Sequence, residues 1–267
     1  ATFFTGYCRP APSSVDGQGI VNVAFDTVNN STGVEPGNYG DYSNLVGNAG
    51  QGQLLPVNIT FATGLTYDTE IYVDWNNDLD FNDPGENVYS GTSLAANPTT
   101  LTATFTIPAL QPLGQYRMRI GGADFGGPGP CYTGTWASFE DYTLNVTPPP
   151  SCPAPTALFA DSLASDSVFL NWTDNANASS WQIEWDTAGF AQGTGNLVVT
   201  GNNPFILSGL SATTSYEFYV RAICAIGDTS AWGLPASFTT ACATFSAPWT
   251  DDVELHTPTT ALTESLC

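Results

Sequence analysis

The sequence predicts an all-β chain of tandem β-sandwiches, and three observations carry the prediction. Short apolar runs are punctuated throughout by Thr, Ser, Asn, Gly and Pro; no segment sustains a 3.6-residue period; and the clearest runs alternate with period two. In the first half of the chain the alternation is plain over residues 101–107 and 115–120, and in the second over 168–172, 181–185 and 216–222. A chain of 267 residues has room for two domains of ordinary size, each with its own core.

The clearest boundary is Pro148-Pro149-Pro150-Ser151. Three prolines cannot continue a central strand and adopt a stiff extended form, so residues 148–151 read as a short rigid linker. They separate a first domain, 1–147, from a second, 152–240. Residues 241–267 are too few to bury a core alone and read as the start of a further β-domain or a docking segment.

Charge narrows the range of partners. There are 25 acidic residues against four arginines (Arg9, Arg117, Arg119, Arg221) and no lysine, giving a net charge of −21. That field repels phosphate backbones and anionic lipid and favours cations. No stretch reaches the roughly 18 apolar residues of a membrane span. The N-terminus has neither a positive nor an apolar signal region and reads as that of a mature or excised chain. The cysteines (Cys8, Cys131, Cys152, Cys224, Cys242, Cys267) lack CxxC or Cys/His spacing, so zinc is disfavoured and an even, widely spaced set points to disulfides in an oxidising, extracellular compartment.

The strongest chemical signal is the segment 74–86, DWNNDLDFNDPGE. Oxygen-bearing side chains occupy relative positions 1, 3, 5 and 7, with carboxylates again at 10 and 13. Like charges brought to 4 Å repel by about 4 kcal/mol per pair at an effective dielectric of 20, and a divalent cation relieves this. All-oxygen ligands select Ca2+ over zinc or copper. The expected ligands are Asp74, Asn76, Asp78, Asp80 and Glu86, with Asp83 in reserve and Glu140 or Asp141 available to complete the shell. The loop departs from an EF-hand. Leu79 stands at position 6 where Gly is expected, the Glu is at 13 rather than 12, and strand-like sequence precedes it.

Catalytic chemistry is sparse. His256 is the sole histidine and lies in the tail, so neither domain has a base for a Ser-His-Asp or Cys-His arrangement. Gly121-Gly122 and the 126–130 run are not followed by a helix or lysine and read as loops with unusual backbone angles rather than phosphate cradles. Glu140 and Asp141 are adjacent on a strand and point to opposite faces, so they cannot act as a facing glycosidase pair. The chain is expected not to be an enzyme.

In the second domain, seven strands are expected, and Leu210 to Tyr216 has the spacing of a tyrosine corner. Trp172 is expected in the core rather than on a sugar-binding platform. With Cys152-Pro153-Ala154-Pro155 at its start and Tyr216 through Cys224 late, this domain resembles a fibronectin type III module of secreted Bacteroidetes proteins. The first domain resembles the GEVED family, on Tyr7-Cys8, residues 19–23 with 29–32, the 74–86 loop, and residues 139–146. Ala137-Ser138-Phe139 replaces the usual Gly-Glu-Val, leaving Glu140 and Asp141. This resemblance implies a calcium-stabilised sandwich without known catalytic role in a modular exported protein.

Six cysteines allow fifteen connectivities. Pairing within units gives Cys8–Cys131, Cys152–Cys224 and Cys242–Cys267. A fibronectin-type sandwich brings Cys152 to the pole where the strand carrying Cys224 ends. Thr27, Ser162, Ser167 and Thr187 each follow an Asp and precede an apolar residue, which resembles the O-glycosylation pattern of Bacteroidetes. Two functions are expected to compete: a structural or adhesive module of a surface protein or filament, and a carbohydrate-binding accessory region of a larger secreted hydrolase. Expected partners are neighbouring domains, glycans or further copies, the last through a tail that adds a strand to a neighbour.

Overall fold

The computed structural model describes residues 6–243. The expected tail segment beyond Ala243, its filament-forming docking and the Cys242–Cys267 pair lie outside the described residues. The chain divides into two compact units between Pro150 and Ser151.

Unit 1 contains nine strands: β1 (Ile20–Phe25), β2 (Val28–Ser31), β3 (Tyr39–Gly50), β4 (Leu54–Phe61), β5 (Asp68–Val73), β6 (Asn87–Thr92), β7 (Thr99–Thr106), β8 (Gly114–Ala123) and β9 (Ala137–Thr147). One sheet runs β2-β1-β4-β7 and the other β3-β9-β8-β5-β6. Their inner faces share one core: Val23, Ile59 and Phe105 from the first, Ile71, Met118, Ile120 and Tyr142 from the second. Alternation along β8 decides what lies outside that core. With Tyr116, Met118 and Ile120 inward, Arg117 and Arg119 must point to the opposite face.

There, Arg119 is nonetheless fully buried, as is Asp141 on the neighbouring strand. Arg119 Nε donates to Asp141 Oδ1 at 2.7 Å and a terminal nitrogen donates to Oδ2 at 2.8 Å. Its other terminal nitrogen donates to the carbonyls of Cys8 at 2.8 Å and Pro130 at 2.7 Å. A segment ahead of β1 and the β8–β9 loop are thereby drawn over the outer face of the sheet. The Cys8–Cys131 disulfide joins the same two segments.

Gly121 and Gly122 lie inside β8, not in a loop. Their role is close packing. A Cβ on Gly121 would fall 2.2 Å from the Phe139 ring, and one on Gly122 2.9 Å from Phe61. Gly126, at φ +73°, does take the left-handed angle expected of that run.

Unit 2 contains β10 (Thr156–Asp161), β11 (Ser167–Thr173), β12 (Ser180–Thr187), β13 (Asn196–Thr200), β14 (Phe205–Ser208), β15 (Ser215–Ala225), β16 (Asp228–Thr229) and β17 (Ala236–Thr239). A β10-β11-β14 sheet faces a second sheet, β13-β12-β15, in which β16 and β17 both pair with β15. Between these last two, residues 230–235 leave the regular ladder, although the Ser230 and Gly233 N–H groups still donate to the carbonyls of Ala222 and Val220. Trp172 and Trp181 pack edge-to-face within the core at 5.4 Å. The Tyr216 hydroxyl accepts from the Ser211 N–H at 3.0 Å, which closes the tyrosine corner. Cys152 is bonded to Cys224.

Removing one member of a buried ion pair leaves the other charge desolvated. Arg119→Met is expected to destabilise unit 1 by about 3–5 kcal/mol, with a smaller loss when Asp141→Leu is added. Denaturant unfolding of the three proteins measures both.

Candidate metal centre

Residues 74–86 bridge β5 and β6, and the ladder holds the loop's two ends together. The Val73 N–H donates to the Glu86 carbonyl at 2.8 Å, while the Asp74 N–H donates to the Arg117 carbonyl at 3.0 Å. Asp74 and Glu86 are both buried, with 0% and 2% of their surface exposed. Between them the chain folds through short side-chain-to-backbone turns: Asn76 Oδ1 accepts from the Asp78 N–H, Asp78 Oδ1 from Asp80 and Asp80 Oδ1 from Asn82. Leu79, at the position where an EF-hand carries Gly, has φ +76°. A side chain at that angle costs about 1–2 kcal/mol, so the loop keeps the backbone bend without the glycine.

Of the four expected carboxylate ligands the structure gathers three. Carboxylate oxygens of Asp74, Asp78 and Glu86 all lie within 4.8 Å of one another. Asp80 is not in that group and is tied instead to Asn82. The Asn76 amide donates to Asp78 Oδ2 at 3.2 Å and Asp83 Oδ2 at 2.5 Å, holding two carboxylates by its nitrogen. Neither Glu140 nor Asp141 completes the group, because Asp141 is committed to Arg119 and Glu140 lies on the other face of β9.

Among the described residues no ion pair reaches Asp74, Asp78 or Glu86; those present engage only Asp41 and Asp141. Hydrogen bonds supply what compensation there is. Asp74 accepts from the N–H groups of Asp78 and Leu79 and from the Tyr7 hydroxyl, the last at 2.6 Å. Glu86 accepts from the N–H groups of Trp75 and Asp83, each at 3.1 Å. Burial, reinforced by the charge of Asp74, nevertheless raises the Glu86 carboxyl above its ordinary range. Burial and the bond to Asp74 likewise push Tyr7 up, which keeps its hydroxyl a donor. An all-oxygen set with two buried members fits a hard divalent cation. The signal for Tyr7 is absent from the spacing, since it lies far from the loop in sequence.

Glu140 forms a separate site. It accepts from the hydroxyls of Tyr142 at 2.6 Å and Thr32 at 2.8 Å, with Glu35 beside it. Tyr42 donates to Glu35, whose other oxygen is buried without a partner. Of the expected glycosylation acceptors, Thr27, Ser162 and Thr187 are exposed and Ser167 is half-buried. One exposed aromatic pair escaped the sequence reading: Phe125 and Trp136 stand 6.1 Å apart, 74% and 42% exposed.

With this geometry in place, comparison with known proteins decides the family. A GEVED domain matches residues 68–145, and a fibronectin type III domain matches residues 153–239. The chain carries a GEVED domain followed by a fibronectin type III domain. The GEVED match begins at the first residue of β5 and includes the whole acidic loop, and is shorter than the nearly complete 1–147 span of the resemblance. Both are non-catalytic module types. Chitinase A1 of Niallia circulans is 31% identical over 192 residues, covering 68% of this chain and 25% of that protein, so the chain spans about a quarter of its relative. Among solved structures, the FN1–FN3 domains of chicken CNTN1 share 14% identity at a TM-score of 0.31, covering 80% of this chain and 69% of that one. The FN3 domain of human collagen XX shares 29% at 0.29, covering 34% and 94%. No helix among the described residues is long and apolar enough to cross a membrane. The modules and the two disulfides are consistent with a secreted protein.

Desolvation, reinforced by neighbouring Glu35 and offset only in part by the hydroxyls of Tyr142 and Thr32, pushes the Glu140 carboxyl up from 4.5 to about 7. The protonated form therefore favours the fold: this contribution is complete below pH 4.5 and is lost as pH rises through 7. Glu140→Gln is expected to flatten the pH dependence over that window and to exceed wild type in stability at pH 8 (on the order of one unit above the folded value). Denaturant melts at a series of pH values check it.

Proposed function

We propose that this chain is a non-catalytic, calcium-stiffened module of an extracellular bacterial surface protein or filament. The observation that carries the reading is the meeting of Asp74, Asp78 and Glu86, two of them buried, with no ion pair to any of them among the described residues. Calcium would join the two ends of the loop through Asp74 and Glu86, which directly adjoin the strands that frame it. Its preference for several oxygen ligands in flexible geometry suits a loop that still has Asn76, Asp80 and Asp83 at its mouth. The disulfide in each unit and the prolines between them suit a module that transmits position rather than performs chemistry.

An ion that binds only the folded state raises its midpoint by mass action. Excess EGTA is expected to lower the thermal midpoint of unit 1, and calcium, not magnesium, to restore it. Asp74→Asn is expected to abolish the calcium response. An identical melting curve with and without EGTA would sink the reading.

A second reading, a carbohydrate-binding accessory region of a larger secreted hydrolase, is favoured by the exposed Phe125–Trp136 pair and the likeness to a chitinase. Exposed aromatic surface of this kind marks interaction sites. Retention on insoluble chitin, lost in Trp136→Ala with the fold intact, is the expected outcome under this reading; no retention on chitin or on a glycan array removes it.

A further inference from the structure

The stretch ahead of β1 is a strap whose two attachments are chemically different. On one side it is covalent: Cys8 is bonded to Cys131, whose side chain is exposed. The strap then runs along the β8–β9 loop, with the N–H groups of Ala11 and Ser13 donating to the carbonyls of Tyr132 and Gly134 at 2.9 and 3.0 Å. On the other side it meets the acidic loop through Tyr7, the residue next to the disulfide. The Tyr7 hydroxyl donates to Asp74 Oδ2 at 2.6 Å, its ring stacks on Phe81 of the loop at 5.2 Å, and the Arg117 guanidinium lies over the same ring at 4.9 Å. Among the described residues this is the hydrogen bond that joins strap to loop. Phe81 is itself buried beneath Arg119, which holds the Cys8 carbonyl.

We propose that the strap is a latch linking the Cys8–Cys131 disulfide to cation binding in the 74–86 loop, with Tyr7 as the positioning residue. The proposal rests on the calcium reading given above. Tyr7 and the Leu79 N–H hold one carboxylate oxygen of Asp74 and the Asp78 N–H holds the other, so the Tyr7 bond, the one that comes from outside the loop, helps fix how this carboxylate is presented to Asp78 and Glu86. Groups that orient a ligand in this way commonly set metal affinity by 10–100-fold. The disulfide holds Tyr7 where it can do so; without that bond the strap is held by non-covalent contacts alone: backbone hydrogen bonds, the Arg119 bond, the Asn38 amide on the Pro12 carbonyl, and the ring contacts of Arg9 and Tyr7. Linkage is reciprocal: whatever factor the intact disulfide contributes to calcium affinity, calcium contributes to the closed strap. Calcium thereby shields the Cys8–Cys131 bond from reducing thiols, and reduction loosens the hold on calcium.

The test follows reduction of each disulfide by dithiothreitol, which is oxidised to its cyclic disulfide as the protein gains two thiols. Rates are read by alkylation and peptide mapping, in calcium and in EGTA, with the dissociation constant taken from calorimetry. Cys152–Cys224, in the other unit, is the internal control. Calcium is expected to slow reduction of Cys8–Cys131 by roughly tenfold and to leave Cys152–Cys224 unchanged. Tyr7→Phe keeps the ring stack and loses only the hydroxyl. It is expected to weaken calcium binding by roughly tenfold and to lose most of the protection, while its melting midpoint in EGTA stays near wild type. A wild type that binds calcium yet loses Cys8–Cys131 equally fast with and without it overturns the latch and leaves the calcium reading standing. Failure to bind calcium removes both. A Tyr7→Phe protein with wild-type affinity and protection overturns the role of Tyr7.

Discussion

The buried pair of Arg119 and Asp141 is the interaction on which the outer face of unit 1 depends. Desolvating both charges costs several kcal/mol per ion, and attraction offsets this only when the remaining donors and acceptors are used. They are. Asp141 also accepts from the Tyr39 hydroxyl at 2.9 Å and from Arg117 at 3.1 Å, while Arg119 gives its last donors to two loop carbonyls. Lysine could not replace it, because no single ammonium presents a flat fork to a carboxylate and reaches two carbonyls behind it. The pair thus serves as an attachment point. Strap, β8–β9 loop and the Phe81 edge of the acidic loop are held by one guanidinium.

Strand β9 shows how a two-residue period divides this chemistry. Asp141 faces the strap side and is paired with arginine; Glu140, one residue earlier, faces Thr32, Tyr142 and Glu35 and is pushed towards neutrality. Two adjacent carboxylates meet different partners because the backbone sends them to opposite faces. Neither belongs to the carboxylate group of the acidic loop.

What the sequence made legible was local. Period-two runs located β8, β11, β12 and β15 because one face of each meets a core. The acidic loop was legible because ligand chemistry is written at close spacing. The parallel pairing of β3 with β9 was not, since it joins Tyr39 to Phe139 and no local pattern encodes a partner a hundred residues away. The same limit hid Tyr7 from the acidic loop. Gly121 and Gly122 were misplaced because glycine serves both positive φ and close approach, and only the Phe139, Phe61 and Tyr67 rings reveal which. Spacing alone could not rank the loop's acids, because Asn76, Asp78 and Asp80 all make the same short turn to the N–H two residues on, and only the fold brings Asp78 to Asp74 and Glu86.

A chain of net charge −21 must manage self-repulsion with four arginines. Three of them, Arg9, Arg117 and Arg119, gather around the rings of Tyr7 and Tyr39. They are concentrated where the backbone buries Asp141, a carboxylate that water does not reach. Exposed acids need no such partner, because solvent and salt screen them. The acidic loop falls between these cases: Asp74 and Glu86 are buried, Asp78 is exposed, and no arginine is paired with any of them. Protein charge neutralises the interior ion pair and water the surface, which leaves the loop as the place where an ion from outside the chain has the most to contribute.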